Sequence, residues 1–187
     1  MTKVWRPGEL KLQASVLSIG AFDGLHRGHQ ALIREAVRRS LFHGVPSVVW
    51  TFDPPPRAFF QGARVLTPLP EKIRRLSAMQ VQHVVVAPFD EAYAKLTARE
   101  FVAQLATVAP LEIWVGYNFR FGCDRAGCVE TLSRHFDVHV MGPVCCERGE
   151  PISSSRIRCL LEKGQTAEAR RILGWRDPPE LRPRLVA

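Results

Sequence analysis

Two histidines three residues apart, His26 and His29, sit in the stretch GAFDGLHRGHQALIREA (residues 20–36), where three glycines, an acid and both imidazoles crowd about the start of a helical pattern. Imidazole can donate a hydrogen bond whether neutral or charged and titrates near about 6.5 when unperturbed, so a pair of them suits a phosphate. Gly20 and Gly24 allow close backbone approach that a Cβ obstructs, and the helix expected from about His29 begins with unpaired amides and the positive end of a dipole. A strand, a tight turn and a helix start in that order read as a seat for the α- and β-phosphates of a nucleotide. Neither GxGxxG spacing nor the GK[ST] ending of a Walker loop is present, which removes those two phosphate motifs.

Two later stretches carry related chemistry. GYNFRFGCDRAG (116–127) leaves an apolar run and offers Asn118, a donor and acceptor suited to a base or ribose, with Arg120 and Arg125 as planar forks for phosphate. ISSSRIR (152–158) places Ser153, Ser154 and Ser155 before Arg156 at an expected helix start. Taken singly, the first is equally a glycine-rich turn with solvated arginines and the second a plain serine N-cap.

Elements that would position these residues are legible in the hydrophobic pattern. Five apolar, β-branched runs (15–22, 46–52, 83–89, 112–119 and 137–144) fit strands buried on both faces. Helical patterns fall at 29–42, 70–79, 98–108, 153–163 and 166–173. The first puts Ile33, Ala36, Val37 and Leu41 on one stripe, and Thr97 with Glu100 has capping-box spacing. This alternation implies an α/β fold with a doubly wound, mostly parallel five-stranded sheet, whose ligand crevice lies outside the carboxyl ends of the strands. Residues 1–175 form the expected domain, and 176–187, rich in proline, an expected tail.

Composition narrows the class. The chain has 187 residues, 46% of them hydrophobic, enough for one buried core and unlike a disordered or fibrous sequence. No apolar run approaches the roughly 18 residues that span a bilayer, and no signal-peptide core is apparent, so a cytoplasmic protein without a membrane partner is expected. A formal charge of +8 suits polyanions; nucleic acid ranks below nucleoside phosphates because no motif with stacking aromatics is evident. The five cysteines have no CxxC pair and read as reduced and structural, leaving no protein metal site. The residue pattern fixes no oligomeric state.

Together and in this order, the three stretches resemble the adenylyltransferase module of bacterial bifunctional FAD synthetases, nucleotidyltransferases marked by HxGH and (I/V)SSTR-like signatures. The likeness extends from about residue 14 to 174 and includes TFDPPPRAFF (51–60) and GQTAEARRILG (164–174). It implies ATP + FMN giving FAD + pyrophosphate, with magnesium accompanying ATP. It also implies that His26, His29 and Arg156 are catalytic. Gly20, Phe22, Asp23 and Gly24 would line the nucleotide cleft, with Ser153, Ser154 and Arg156 on the outgoing phosphates. Pro56, Phe60, Asn118 and Arg125 would border the flavin or its substrate contacts.

Two departures from the family pattern bear on chemistry. The usual TF(D/E)PHP reads TFDPPP here, so Pro55 replaces an imidazole beside the reacting phosphates and has neither a side-chain donor nor an N–H. Ala21 stands where asparagine is frequent, and Ser155 where the signature has threonine. The second is length: the riboflavin kinase barrel that follows the module in bifunctional members is absent from this sequence. Pro55 leaves open a different phosphorylated acceptor, or a flavin- or nucleotide-binding protein with weakened catalysis.

Overall fold

Runs dominated by valine and isoleucine leave neither face suited to water, and here they become the interior of a parallel sheet. The computed structural model describes residues 1–175, so the expected tail lies outside the described residues. Strands β1 (Lys3–Trp5), β2 (Ser15–Ile19), β3 (Ser47–Asp53), β4 (His83–Pro88), β5 (Pro110–Gly116) and β6 (Val138–Met141) form one sheet in the order β1-β4-β3-β2-β5-β6. Every pairing is parallel. The sheet thus has six strands rather than the expected five. The additional one, β1, is three residues long with two of them exposed, too short and too polar in setting to show a pattern.

Helices α1 (Arg27–His43), α2 (Pro56–Gln61), α3 (Leu69–Ala78), α4 (Glu91–Ala94), α5 (Ala98–Ala106), α6 (Val129–Ser133), α7 (Ser154–Glu162) and α8 (Thr166–Leu173) complete the fold. The three that the pattern did not foretell, α2, α4 and α6, have six residues or fewer, less than two turns of periodicity. The capping box on α5 forms as its spacing predicts. Alternate residues of β3 show the double winding: Val48, Trp50 and Phe52 pack with Phe101 and Leu105 of α5, while Val49 packs with Ile33 and Val37 of α1 and Leu76 of α3.

Two boundaries differ from expectation in ways that shape the site. Strand β2 stops at Ile19 rather than continuing to Phe22, because Phe22 takes φ 48°, outside the extended region. Helix α1 starts at Arg27, two residues early, because His26 itself supplies the cap. On that helix the buried stripe runs through Ile33, Ala36, Val37 and Ser40, and Leu41, about 100° further round, is exposed. The cysteines are all free, but Cys145 and Cys159 are exposed and so are not packing residues.

From β2 the chain proceeds to β3 and β4 on one side, and β5 and β6 lie on the other, so the strand order reverses at β2. The loops after β2, β3 and β5 therefore open into one crevice at the carboxyl edge. Away from that edge, α1 is tied to the sheet by Glu112, a buried carboxylate on β5. Arg39 donates to it through Nε at 2.9 Å, the Trp114 indole at 2.9 Å, and His43 Nε2 lies 2.7 Å away. The Arg39 hydrogen bonds, foremost, push its pKa down to about 2. The unfolded chain takes up this proton first, so the stabilisation is complete above about pH 4.5 and is lost as pH falls toward 2. Glu112→Gln is expected to cost about 1.5–3 kcal/mol at pH 7 and to flatten the acid limb of stability below pH 4.5, measured by urea unfolding across pH.

Candidate active site

The start of α1 is built from its own side chains. His26 is the N-cap, with extended backbone (φ −62°, ψ 170°), and its Nδ1 accepts from the backbone N–H of His29 at 3.3 Å. Accepting at Nδ1 leaves the neutral ring its proton on Nε2, so His26 presents an N–H donor. The two rings stack with centroids 3.6 Å apart and 18° between planes, and Phe22 meets His29 edge-on at 5.3 Å. Nδ1 of His29 is buried without a hydrogen-bond partner. Burial pushes His26 down to about 4, and burial, with His26 and Lys72 nearby, pushes His29 well below the usual imidazole range. Both imidazoles are therefore neutral at pH 7 in the free chain.

The loop ahead of the histidines is fixed by contacts that spacing alone does not disclose. A Cβ on Gly20 would lie 2.9 Å from the Phe22 ring, so only glycine lets that ring fold back under the loop. Gly24 takes φ +85°, a conformation strained for other residues. Asp23 is 3% exposed, and its carboxylate faces inward. Oδ1 accepts from the backbone N–H groups of Leu66 and Thr67 at 2.9 and 3.0 Å, and Oδ2 pairs with Arg158 of α7 at 2.5 Å. Its role in the cleft is to hold three segments together. Lys72 of α3, which the sequence reading did not single out, is also buried; its Nζ donates to the carbonyls of Ala21 and Phe52 at 3.0 and 3.1 Å. Desolvation lowers it to about 8.

Helix α7 closes the crevice from the other side. Ser153 is its N-cap, accepting from the Arg156 amide at 3.2 Å, and the Ser154 hydroxyl donates to the Asp23 carbonyl at 2.7 Å. Ser154 thereby docks this helix on the loop that precedes the histidines. The Arg156 guanidinium is turned to acids: it pairs with Glu150, lies 3.6 Å from Glu168 and donates to Cys146 Sγ at 3.2 Å. A phosphate reaching it must compete with both glutamates.

Beyond β3 and β5 lies a cavity of about 850 Å³ walled by Phe59, Phe60, Phe89, Tyr93 and Phe121. Phe59, Phe60 and Phe89 meet edge to face at 5.2–5.7 Å between centroids, and Phe60 is two-thirds exposed at the mouth. Pro56 and Arg125 also line it. Asn118 is exposed at the end of β5 and is not part of the cavity wall; the neighbouring Phe119 and Arg120 are.

Residues 9–156 match the sequence profile of the family described as FAD synthetase. The chain belongs to the FAD synthetase family. A relative from Geobacillus thermodenitrificans, provisionally named bifunctional riboflavin kinase/FMN adenylyltransferase, is 50% identical over 166 residues, 89% of this chain and 93% of that protein. The Escherichia coli K12 bifunctional riboflavin kinase/FMN adenylyltransferase is 35% identical over 87% of this chain, which spans 55% of that relative's length. A crystal structure described as a macrolide-efflux protein from Streptococcus pneumoniae superposes with a TM-score of 0.79 at 30% identity, over 93% of this chain and 62% of that one. That description is of the Streptococcus protein; the superposition bears on the fold.

Within the FAD synthetase fold, Pro55 is buried at the N-cap of α2 and its carbonyl accepts from the Ala58 amide at 2.8 Å. The position that carries an imidazole in the family pattern thus serves only the backbone here. Among the described residues no helix is long and apolar enough to cross a membrane, and no group of three or more His, Cys, Asp or Glu could hold a metal. Lys72 could have been flagged earlier only as a charged residue at a core-facing position, which sequence alone does not mark; Asp23 was expected in the cleft, but its pairing with Arg158 was not.

Two outcomes follow from this geometry. Asp23→Asn, which leaves Arg158 buried without its counter-charge, is expected to cost about 3–5 kcal/mol in equilibrium unfolding. At about pH 5 His26 is neutral in the free protein, and an adjacent phosphate raises a histidine pKa by about 1–3 units. Binding of a nucleoside triphosphate at that pH is therefore expected to take up protons, read as a dependence of calorimetric enthalpy on the buffer's ionisation heat, and His26→Gln is expected to reduce the uptake.

Proposed function

We propose that this chain is an FMN adenylyltransferase, moving AMP from ATP to FMN to give FAD and pyrophosphate. The observation that carries this reading is the aromatic cavity beside α7: Arg57 lines it and donates from Nη1 to the Ser155 hydroxyl, so a planar aromatic ligand and a triphosphate would meet there. At about 850 Å³ the cavity is within the range of small-molecule sites, and its rings offer faces and edges to an isoalloxazine.

In this reaction an oxygen of the FMN phosphate forms a bond to the α-phosphorus of ATP as the bond to the β-phosphate breaks. The acceptor oxygen is already anionic, so no enzyme nucleophile is required; positioning and neutralisation of oxygen charge do the catalysis. His26 Nε2–H and the first-turn amides of α1 face the α-phosphate, with His29 stacked behind as second donor. Ser153 and Arg156 at the start of α7 take the departing phosphates, Arg156 exchanging Glu150 and Glu168 for them. Magnesium would come with the triphosphate and offset its charge, held chiefly by phosphate oxygens. The alternative of a different phosphorylated acceptor is less well matched to a cavity walled so largely by aromatic rings.

The test is pyrophosphate release by the purified chain with ATP and magnesium, with and without FMN, with FAD followed in the same samples. FMN-dependent release matched by FAD is expected, and His29→Ala is expected to lower kcat about 10²–10³-fold while the fold persists. Release without FAD would move the assignment to another acceptor, and nucleotide or flavin binding without turnover to a binding protein.

A further inference from the structure

Transfer between two phosphates brings two anions into contact, and whatever lies at their junction must offset the repulsion. Pro55, where the family pattern has an imidazole, offers no donor there. Two residues on, Arg57 stands in the first turn of α2 with an exposed side chain. Its Nε donates to Gln61 Oε1 at 2.8 Å and its Nη1 to the Ser155 hydroxyl on α7, while its side chain forms part of the wall of the aromatic cavity. Arg57 therefore touches both halves of the site.

Its partners distinguish it from the two arginines of α7. Arg156 is committed to Glu150 and Glu168, and Arg158 to Asp23. Gln61 and Ser155 are neutral, and neither hydrogen bond cancels the guanidinium charge. A phosphate would be a stronger acceptor for that fork than a hydroxyl or an amide oxygen, and bidentate geometry suits it.

We propose that Arg57 binds the phosphate of the acceptor, supplying from α2 the charge that Pro55 cannot, and so makes the site select phosphorylated over unphosphorylated flavin. The proposal rests on the FMN adenylyltransferase reading. Arg57 holds the acceptor oxygen toward the α-phosphorus while the ring system occupies the cavity; Ser155, released from Arg57, is then free to face the nucleotide.

The experiment compares FMN and riboflavin binding to the full chain, by quenching of flavin fluorescence, for the native protein, Arg57→Gln and Arg57→Lys, together with ATP binding and initial rates of FAD formation. Native protein is expected to prefer FMN. Arg57→Gln should weaken FMN about 10- to 100-fold, the worth of charge-assisted hydrogen bonds, with riboflavin and ATP affinity changed less than about twofold. Lysine should restore part of the loss. Equal weakening of both flavins would make Arg57 a wall of the cavity only, and unchanged FMN affinity, or no native preference for FMN over riboflavin, would equally overturn the proposal. If the native chain binds FMN but forms no FAD, the adenylyltransferase reading fails while the binding comparison still decides the role of Arg57; binding of neither flavin overturns both.

Discussion

A single buried carboxylate, that of Asp23, holds together the loop before α1, the segment ahead of α3 and helix α7. It accepts from the amides of Leu66 and Thr67 ahead of α3 and pairs with Arg158 of α7, while its own carbonyl receives the Ser154 hydroxyl. Isolating a carboxylate from water is costly unless every lone pair is matched, and here the charge is opposed by a guanidinium and the second oxygen by two N–H groups. The loop after β2 and the helix at residue 154 are more than a hundred residues apart in sequence, so this satisfied charge is what makes them one site.

Around that anchor, the candidate phosphate donors carry little uncompensated charge. His26 and His29 are stacked and desolvated, and desolvation leaves both neutral. Arg156 is balanced by glutamates. A site that kept three uncompensated cations in contact would be strained by their repulsion; one that uses neutral donors and exchangeable ion pairs would develop positive character only as an anion displaced water and acids. Preorganised donors of this kind contribute most where charge is redistributed, as it is when a phosphoanhydride is exchanged.

The apolar half of the crevice follows different physics. Edge-to-face packing of Phe59, Phe60 and Phe89 braces the rings that open onto the cavity, so aromatic faces are available without collapse of the pocket. The junction between this apolar wall and the polar helix start is α2, a helix of six residues with no buried member. Its arginine reaches α7, and its first residue lines the cavity, so a short, poorly buried element connects the two halves.

Much of this was present in local pattern. The β-branched runs specified the strands of a parallel sheet, Thr97 and Glu100 specified a capping box, and HRGH with ISSSR marked two helix starts, because strands, caps and glycine turns are decided by neighbours within a few residues. Other features depended on residues distant in sequence. Strand β1 exists because β4 offers it an edge, Leu41 is exposed because the buried stripe stops at Ser40, and Asp23 faces Arg158 rather than solvent. Sequence determined which groups could bind phosphate and the order of elements that carry them. Only the tertiary structure decided which of those groups are already engaged, since a charge's availability depends on burial and on partners brought together by packing.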